Sequence, residues 1–252
     1  MRTRGHSGII GAVYTFVGAL LIVAVWWIAA AAYGKPIIFP TPAEAVRTLF
    51  EEFASAYFWR AFGGSLLRSV IGFSAAAVLA VALVFLGKAC PPIRKILAPV
   101  VGVLRSIPTM SVILLLVLWT SGNSAPVIVA GLVIFPVLYS GMDAALCSMP
   151  RELEETARLY ADKPLYKFAK VYVPYAAPSF LTVAGGAASL TLKLTVAAEV
   201  LANTRYSLGF IMQQTRIYFE IGRLMALTVV VVVTALLLEF FVYLLRVAVD
   251  YN

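Results

Sequence analysis

The chain is expected to fold as an all-α polytopic membrane protein of about six transmembrane helices, organised as a single transmembrane domain over residues 1–252. Three observations carry this expectation. Apolar residues make up 62% of the 252 positions and charged residues 13%, whereas a soluble domain is about half apolar and a quarter charged. The mean hydropathy is +0.94. The apolar residues fall in runs of the length a helix needs to cross a bilayer, about 20 residues, and the charges gather between those runs. Together these exclude a water-soluble globule, a coiled coil and a disordered chain.

The first span is Ile9–Ala32, 24 residues without a charge, with Trp26 and Trp27 as interfacial anchors at one end. The preceding MRTRGHSG resembles the start of a signal peptide. The apolar run is long and shows no convincing cleavage site, so a retained span is expected. In the polar stretch that follows, Thr41-Pro42-Ala43-Glu44 reads as a helix start, with Thr41 as cap and Pro42 in the first turn. The second span is Leu66–Gly87, with Arg68 near its entrance as an interfacial anchor, and Lys88, Pro91, Pro92, Arg94 and Lys95 form a basic, proline-broken turn. From Ser106 to Met142 there are 37 residues without a charge, enough for two spans, divided by the turn formers of Thr120–Pro126. The third span ends near Trp119, and Arg105 and Pro108 interrupt its start, so Ile96–Leu104 reads as a separate tilted piece. The fourth runs from about Pro126 to Cys147, the fifth from Tyr172 to about Val200, and the sixth over Leu224–Leu245. Cys90 and Cys147 have no metal or disulfide spacing and read as small buried residues at span ends.

The net charge is +8, from 20 Lys and Arg against 12 Asp and Glu. The basic residues sit in short segments between apolar runs, where anionic membrane lipid accounts for them. No nucleic-acid partner is expected, since that binding needs a solvent-facing basic surface. With the N-terminus inside, 11 Lys and Arg fall on the cytoplasmic side and 6 on the other. The positive-inside rule therefore places both termini, and Ser148–Lys170, in the cytoplasm.

That cytoplasmic segment, residues 148–172, carries the functional expectation. Leu153, Ala157 and Tyr160 share one face of a short helix, Asp162-Lys163-Pro164 breaks it, and Leu165, Phe168, Ala169 and Tyr172 share one face of a second. Pro174 and Pro178 lie where the chain turns into the fifth span. A helix–turn–helix with narrow apolar faces suits docking into a groove on a partner. Amphipathicity alone also fits an ordinary interfacial loop.

The spacing is more specific. Glu155-Thr156-Ala157, three residues, Ala161, nine residues, Val171, one residue and Val173-Pro174 resemble the EAA motif of permease subunits of ABC importers. Thr156 stands for Ala, Ala161 for Gly, and Val171 and Val173 for Ile and Leu. Ala161 is the departure of most consequence, because Gly permits a left-handed turn that Ala resists. The blocks FPTPAEAVRTL, SLLRSVIGF, LAPVVGVLRSIP, VLWTSGNSAPVIV and AAEVLANTRYSLGFIM resemble the nitrate/sulfonate/taurine-type branch, in the same order and at compatible spacing. The resemblance implies a type I importer permease in a bacterial inner membrane, as a homodimeric pore. It implies a separate ATP-binding subunit that holds ATP and Mg and grips the coupling segment, so this chain needs no cofactor of its own. It also implies a periplasmic or lipid-anchored substrate-binding protein that delivers a small anion or a vitamin precursor.

Charges inside the spans are the remaining candidates. A lone charge at a span centre costs about 2.5–3.5 kcal/mol on insertion scales. Lys193 either faces the translocation path, where it meets an anionic substrate, or pairs with Glu239 or Asp143 on another helix. Glu199 matches the family's carboxylate at the outer end of its span, which implies a gate or packing role. Arg105 snorkels to the headgroups or fixes a gate. Gly185, Gly186, Ala187, Ala188 and Ser189 make a small-residue face for close packing. A membrane enzyme is disfavoured. His6 is the only histidine, and HExxH, GxSxG and Walker A patterns are missing. A secondary transporter would show inverted repeats, and none is evident.

Overall fold

A computed structural model describes residues 4–35, 38–120, 122–160 and 164–250. The described residues form eleven α-helices and one π-helical turn, without strands. Five helices are long and apolar enough to cross a membrane, and a pair bent by 93°, Pro91–Ser106 with Thr109–Trp119, is a sixth candidate if the two make one span.

The chain divides into two compact units. The first comprises Met1–Ala56 and Gln214–Val229. It contains α1 (Arg4–Tyr33) and α2 (Pro42–Phe53). The expected start of α2 is borne out by a full capping box: Glu44 N–H donates to Thr41 Oγ1 at 3.3 Å, and Thr41 N–H donates to Glu44 Oε2 at 2.8 Å. Trp26 does more than anchor at an interface, since its indole N–H donates to the Pro40 carbonyl at 3.0 Å. Glu52, 7% exposed, is held by ion pairing to Arg223, which also reaches Glu220.

The second unit comprises Tyr57–Gln213 and Val230–Asn252. It holds α3 (Ala56–Ala89), α4 (Pro91–Ser106), α5 (Thr109–Trp119), α6 (Ala125–Cys147), α7 (Arg151–Tyr160), α8 (Pro164–Lys167), α9 (Val173–Ala202) and most of α10 (Leu208–Ile217) and α11 (Ile221–Asp250). Helices α6 and α9 form its most extensive pairing. Between them lie Ile134, Leu138, Met142, Ala176, Ala184 and Ala187, all nearly inaccessible. Small residues let these backbones approach. A Cβ on Gly141 would stand 2.8 Å from the Val183 methyls, and one on Gly72 of α3 would stand 3.0 Å from both Ala130 Cβ and the Val127 carbonyl. Large apolar side chains remain exposed along α1, α3, α5 and α11. Water would not tolerate so much apolar surface, and lipid does.

Several expected boundaries move. Helix α3 begins at Ala56, ten residues before the expected span. Apolar runs end at the first polar residues, whereas backbone hydrogen bonding continues, and here Arg60 is held by stacking its guanidinium 4.2 Å from the Tyr206 ring centroid. The basic turn at 91–95 is helical, because Pro91 and Pro92 fall in the first turn of α4, where no N–H is needed. The interruption expected at Pro108 is real: α4 and α5 meet there at 93°. The expected second amphipathic helix is not a separate element. Helix α8 passes into a π turn, Phe168–Tyr172, and straight on into α9, so Pro174 lies in the first turn of α9 and Pro178 inside it. Pro174 has no N–H to return one turn back, and the wider Val173 N–H to Phe168 bond lies at that point. The break expected at Asp162-Lys163 lies outside the described residues. Cys90 and Cys147 are exposed rather than buried. Cys147 Sγ accepts a bond from Arg94 at 2.7 Å, which keeps it at the helix surface.

Candidate functional site

Two of the intramembrane charges find each other. Glu199, fully buried on α9, accepts from Arg68 of α3 at 2.9 Å, from Ser65 Oγ at 2.6 Å and from Gly209 N–H at 3.3 Å. Ser65 Oγ in turn accepts from Leu208 N–H at 2.8 Å. Arg68 also reaches the carbonyls of Arg205 and Tyr206. The knot thus fastens α3, the end of α9 and the start of α10. Gly209 is required there, since a Cβ would stand 2.4 Å from Glu199 Cβ and 2.6 Å from Val200 N. Asn203 turns the chain out of α9 at φ 51°, and Ser207 Oγ caps α10 by accepting from Phe210 N–H at 2.9 Å. Arg68 is therefore not the interfacial anchor expected. Burial of an opposite charge near the end of another span was decisive. The signal existed in the sequence: two lone charges of opposite sign in apolar runs each need a partner.

Lys193 is different. Asp143, one of its two expected partners, is taken by Arg94 through paired bonds of 2.9 Å. Glu239, the other, lies exposed beside Gly185, eight residues or about 12 Å along α9 from Lys193. Among the described residues Lys193 makes no ion pair or hydrogen bond, so neither expected pairing forms within one chain. Lys193 is exposed, and so are Ser179, Thr182, Gly186, Leu190, Ala197 and Leu201. At 100° per residue these seven positions share a stripe about 100° wide along the whole of α9. A lipid-facing stripe would be uniformly apolar, and this one carries two hydroxyls, a glycine and a cation. The small-residue face is split accordingly: Gly185, Ala187, Ala188 and Ser189 pack inward, and Gly186 faces out.

Helix α7 lies at the same end of the unit as the close of α6. Its described side chains are exposed at Arg151, Glu152, Leu153, Glu155 and Thr156. Glu154 is the exception, bound to Lys88 of α3 at 3.1 Å. Lys88 also sits 5.6 Å from the Tyr172 ring centroid, in the π turn. Phe168 of that turn packs edge-on against Phe85 of α3, centroids 3.7 Å apart. One lysine therefore touches both α7 and the π turn. Val171 and Val173 are half-buried and Pro174 is exposed. Ala161 lies outside the described residues, as does the side chain of Ala157. Arg105 is exposed on α4 and donates to Ser140 Oγ at 3.3 Å. Among the described residues no group of His, Cys, Asp and Glu has the arrangement of a metal site.

Residues 84–251, a run holding α7, the π turn and the striped face of α9, match the family described as the binding-protein-dependent transport system inner membrane component. The chain belongs to that family. It is an ABC importer permease subunit that spans the membrane. The aliphatic sulfonates transport permease protein SsuC of Escherichia coli (strain K12) is 28% identical over 203 residues, covering 79% of this chain and 76% of that protein. The fold matches a chain of the MetNI methionine ABC transporter in an inward-facing conformation, with TM-score 0.66 at 18% identity over 75% of this permease and 94% of that chain. It also matches a chain of a bacterial ABC transporter for import of the acidic polysaccharide alginate, with TM-score 0.60 at 16% identity over 95% and 97% of the two. These identities speak for the fold of the permease alone.

Proposed function

We propose that this permease carries small organic anions of the sulfonate class, and that Lys193 on the open stripe of α9 is the cation they meet in the membrane. The observation that carries this reading is an intramembrane lysine left exposed without a partner, on a face of mixed polarity. Such a residue is costly in lipid and belongs beside water or substrate. The sulfonate relative supports the choice of anion. Two copies of the chain bring two α9 stripes together around one path, a vitamin precursor being the alternative cargo. Glu199 then serves as a packing residue behind the path rather than a ligand.

The motor is a separate chain. In this reading an ATP-binding subunit holds ATP and Mg and receives α7, with Glu155 and Thr156 in polar contact and Ala157 and Ala161 allowing close approach. Val171, Val173 and Pro174 carry the motion into α9. The basic ends at Lys88–Lys95 and Arg151–Lys170 support a cytoplasmic side for this segment and both termini, and a binding protein feeds the opposite mouth. ATP biases the pore only through contacts that differ between its two states.

The test is reconstitution with the ATPase and binding protein in proteoliposomes, scored by uptake of an alkanesulfonate. Lys193→Gln is expected to cut uptake at least tenfold while binding-protein-stimulated ATP hydrolysis persists, and Lys193→Arg to retain most of it. Unchanged uptake rate and half-saturation in Lys193→Gln would remove Lys193 from the path.

A further inference from the structure

We propose that the cleft between α4 and α6 binds the phosphate headgroup of an anionic phospholipid. The cleft measures about 580 Å³, and its polar lining is Arg94, Lys95 and Arg105 from α4 with Tyr139, Ser140 and Asp143 from α6. The charges do not balance. Asp143 is fully engaged by Arg94, through bonds of 2.9 Å from Nε and from a terminal nitrogen. Lys95 makes no ion pair or hydrogen bond among the described residues. Arg105 bonds only the neutral Ser140 hydroxyl, at 3.3 Å. Two cations therefore face the cleft without a counter-charge. Room for an anion comes from the smallest side chain of α4: a Cβ on Gly102 would stand in open space.

The position of the cleft says what kind of anion. Arg94 meets Asp143 and Cys147 at the end of α6, and Arg105 meets Ser140. Ser140 is seven residues earlier than Cys147, so about 10 Å deeper along that helix. Helix α4 thus occupies the last stretch of the span, the depth of phosphates and first methylenes. Opposite its cationic face, Ile96, Val100 and Val103 are 65%, 48% and 60% exposed. An amphipathic helix that turns 93° into the apolar α5 lies with that apolar side toward acyl chains. A basic pocket between helices at this depth is suited to a lipid phosphate rather than to an ion drawn from water. Arg94, Lys95 and Arg105 would hold the phosphate, and the apolar cleft wall the glycerol.

The test uses the full permease alone, delipidated in detergent, so it does not depend on the cargo or the motor. Binding is read by native mass spectrometry and by thermal shift, with phosphatidylglycerol, phosphatidylcholine and inorganic phosphate as separate probes. Phosphatidylglycerol is expected to bind and to raise the melting temperature, and the other two to do neither. Lys95→Gln with Arg105→Gln, both at exposed side chains, should weaken phosphatidylglycerol about 25-fold, about fivefold for each cation. Gly102→Leu keeps every charge and fills the cleft, and should weaken it at least as much. Binding of phosphatidylcholine equal to that of phosphatidylglycerol would overturn the proposal. So would a shift produced by inorganic phosphate alone, or unaltered phosphatidylglycerol affinity in the double variant.

Discussion

Glu199 shows how one buried charge organises its surroundings. Its carboxylate has four acceptor sites, and three donors from different parts of the chain converge on it. Such a pair stabilises little against an apolar alternative, but removing one partner leaves an uncompensated charge, at about 3–5 kcal/mol. Arg68→Ala is therefore expected to lower the melting temperature of the purified permease sharply. Arg68→Ala with Glu199→Gln should regain part of the loss, because the amide still accepts from Ser65 and carries no charge. A cycle in which the two effects simply add would mean that the ion pair is not coupled in the membrane. At Gly209 the constraint is steric. Gly209→Ala places a methyl within 2.4–2.7 Å of Glu199 Cβ and two backbone atoms of α9. Backbone cannot yield as a flexible side chain can, and overpacking of this kind costs about 1–3 kcal/mol or more. The loss should appear as lower expression and melting temperature, and wild-type stability in that variant would contradict the packing described.

Among the elements, α7 owes its position to Lys88. The described face of α7 is exposed apart from Glu154, and Lys88 joins it both to α3 and, through Tyr172, to the π turn that leads into α9. In the coupling proposed above, a push on α7 would reach α9 by that route. Lys88→Gln should leave ATPase binding intact and lower the number of molecules carried per ATP several-fold, measured in proteoliposomes. A similar loss is expected for Ala161→Glu, with the permease still inserted in the membrane. Normal uptake by either variant, with the ATPase still bound, would show that the force takes another path. The π turn was not legible beforehand: the periodicity of Leu165, Phe168, Ala169 and Tyr172 is that of a short helix, and an i→i−5 register does not alter it over so few residues.

At the scale of the whole molecule, the exposed stripe of α9 and the exposed apolar faces of α3 and α11 make different demands. The latter are satisfied by lipid, whereas the former calls for water. After replacement of the exposed Cys90 and Cys147 by Ser, single cysteines at Gly186, Leu190 and Ala197 should react with a polar maleimide in the assembled transporter. A cysteine at Leu236, 59% exposed on α11, should not. Equal reactivity at Leu236 and along the stripe would move the path to another face.

Five or six apolar spans, the capped start of α2 and the break before α5 were all readable from residue order, because hydropathy, proline and capping act over a few neighbours. The family was readable for a similar reason: its motif is a spacing of small and apolar residues within one stretch of chain. Partnership was not. Arg68 read as an interfacial anchor, Glu199 as a gate or packing residue and Lys193 as a charge with several possible partners, and which of them pair depends on helices more than 40 residues apart in sequence being set side by side. That is a property of packing, where a glycine at 72, 141 or 209 permits an approach that no local pattern records, and it left Lys193 without a counter-charge among the described residues.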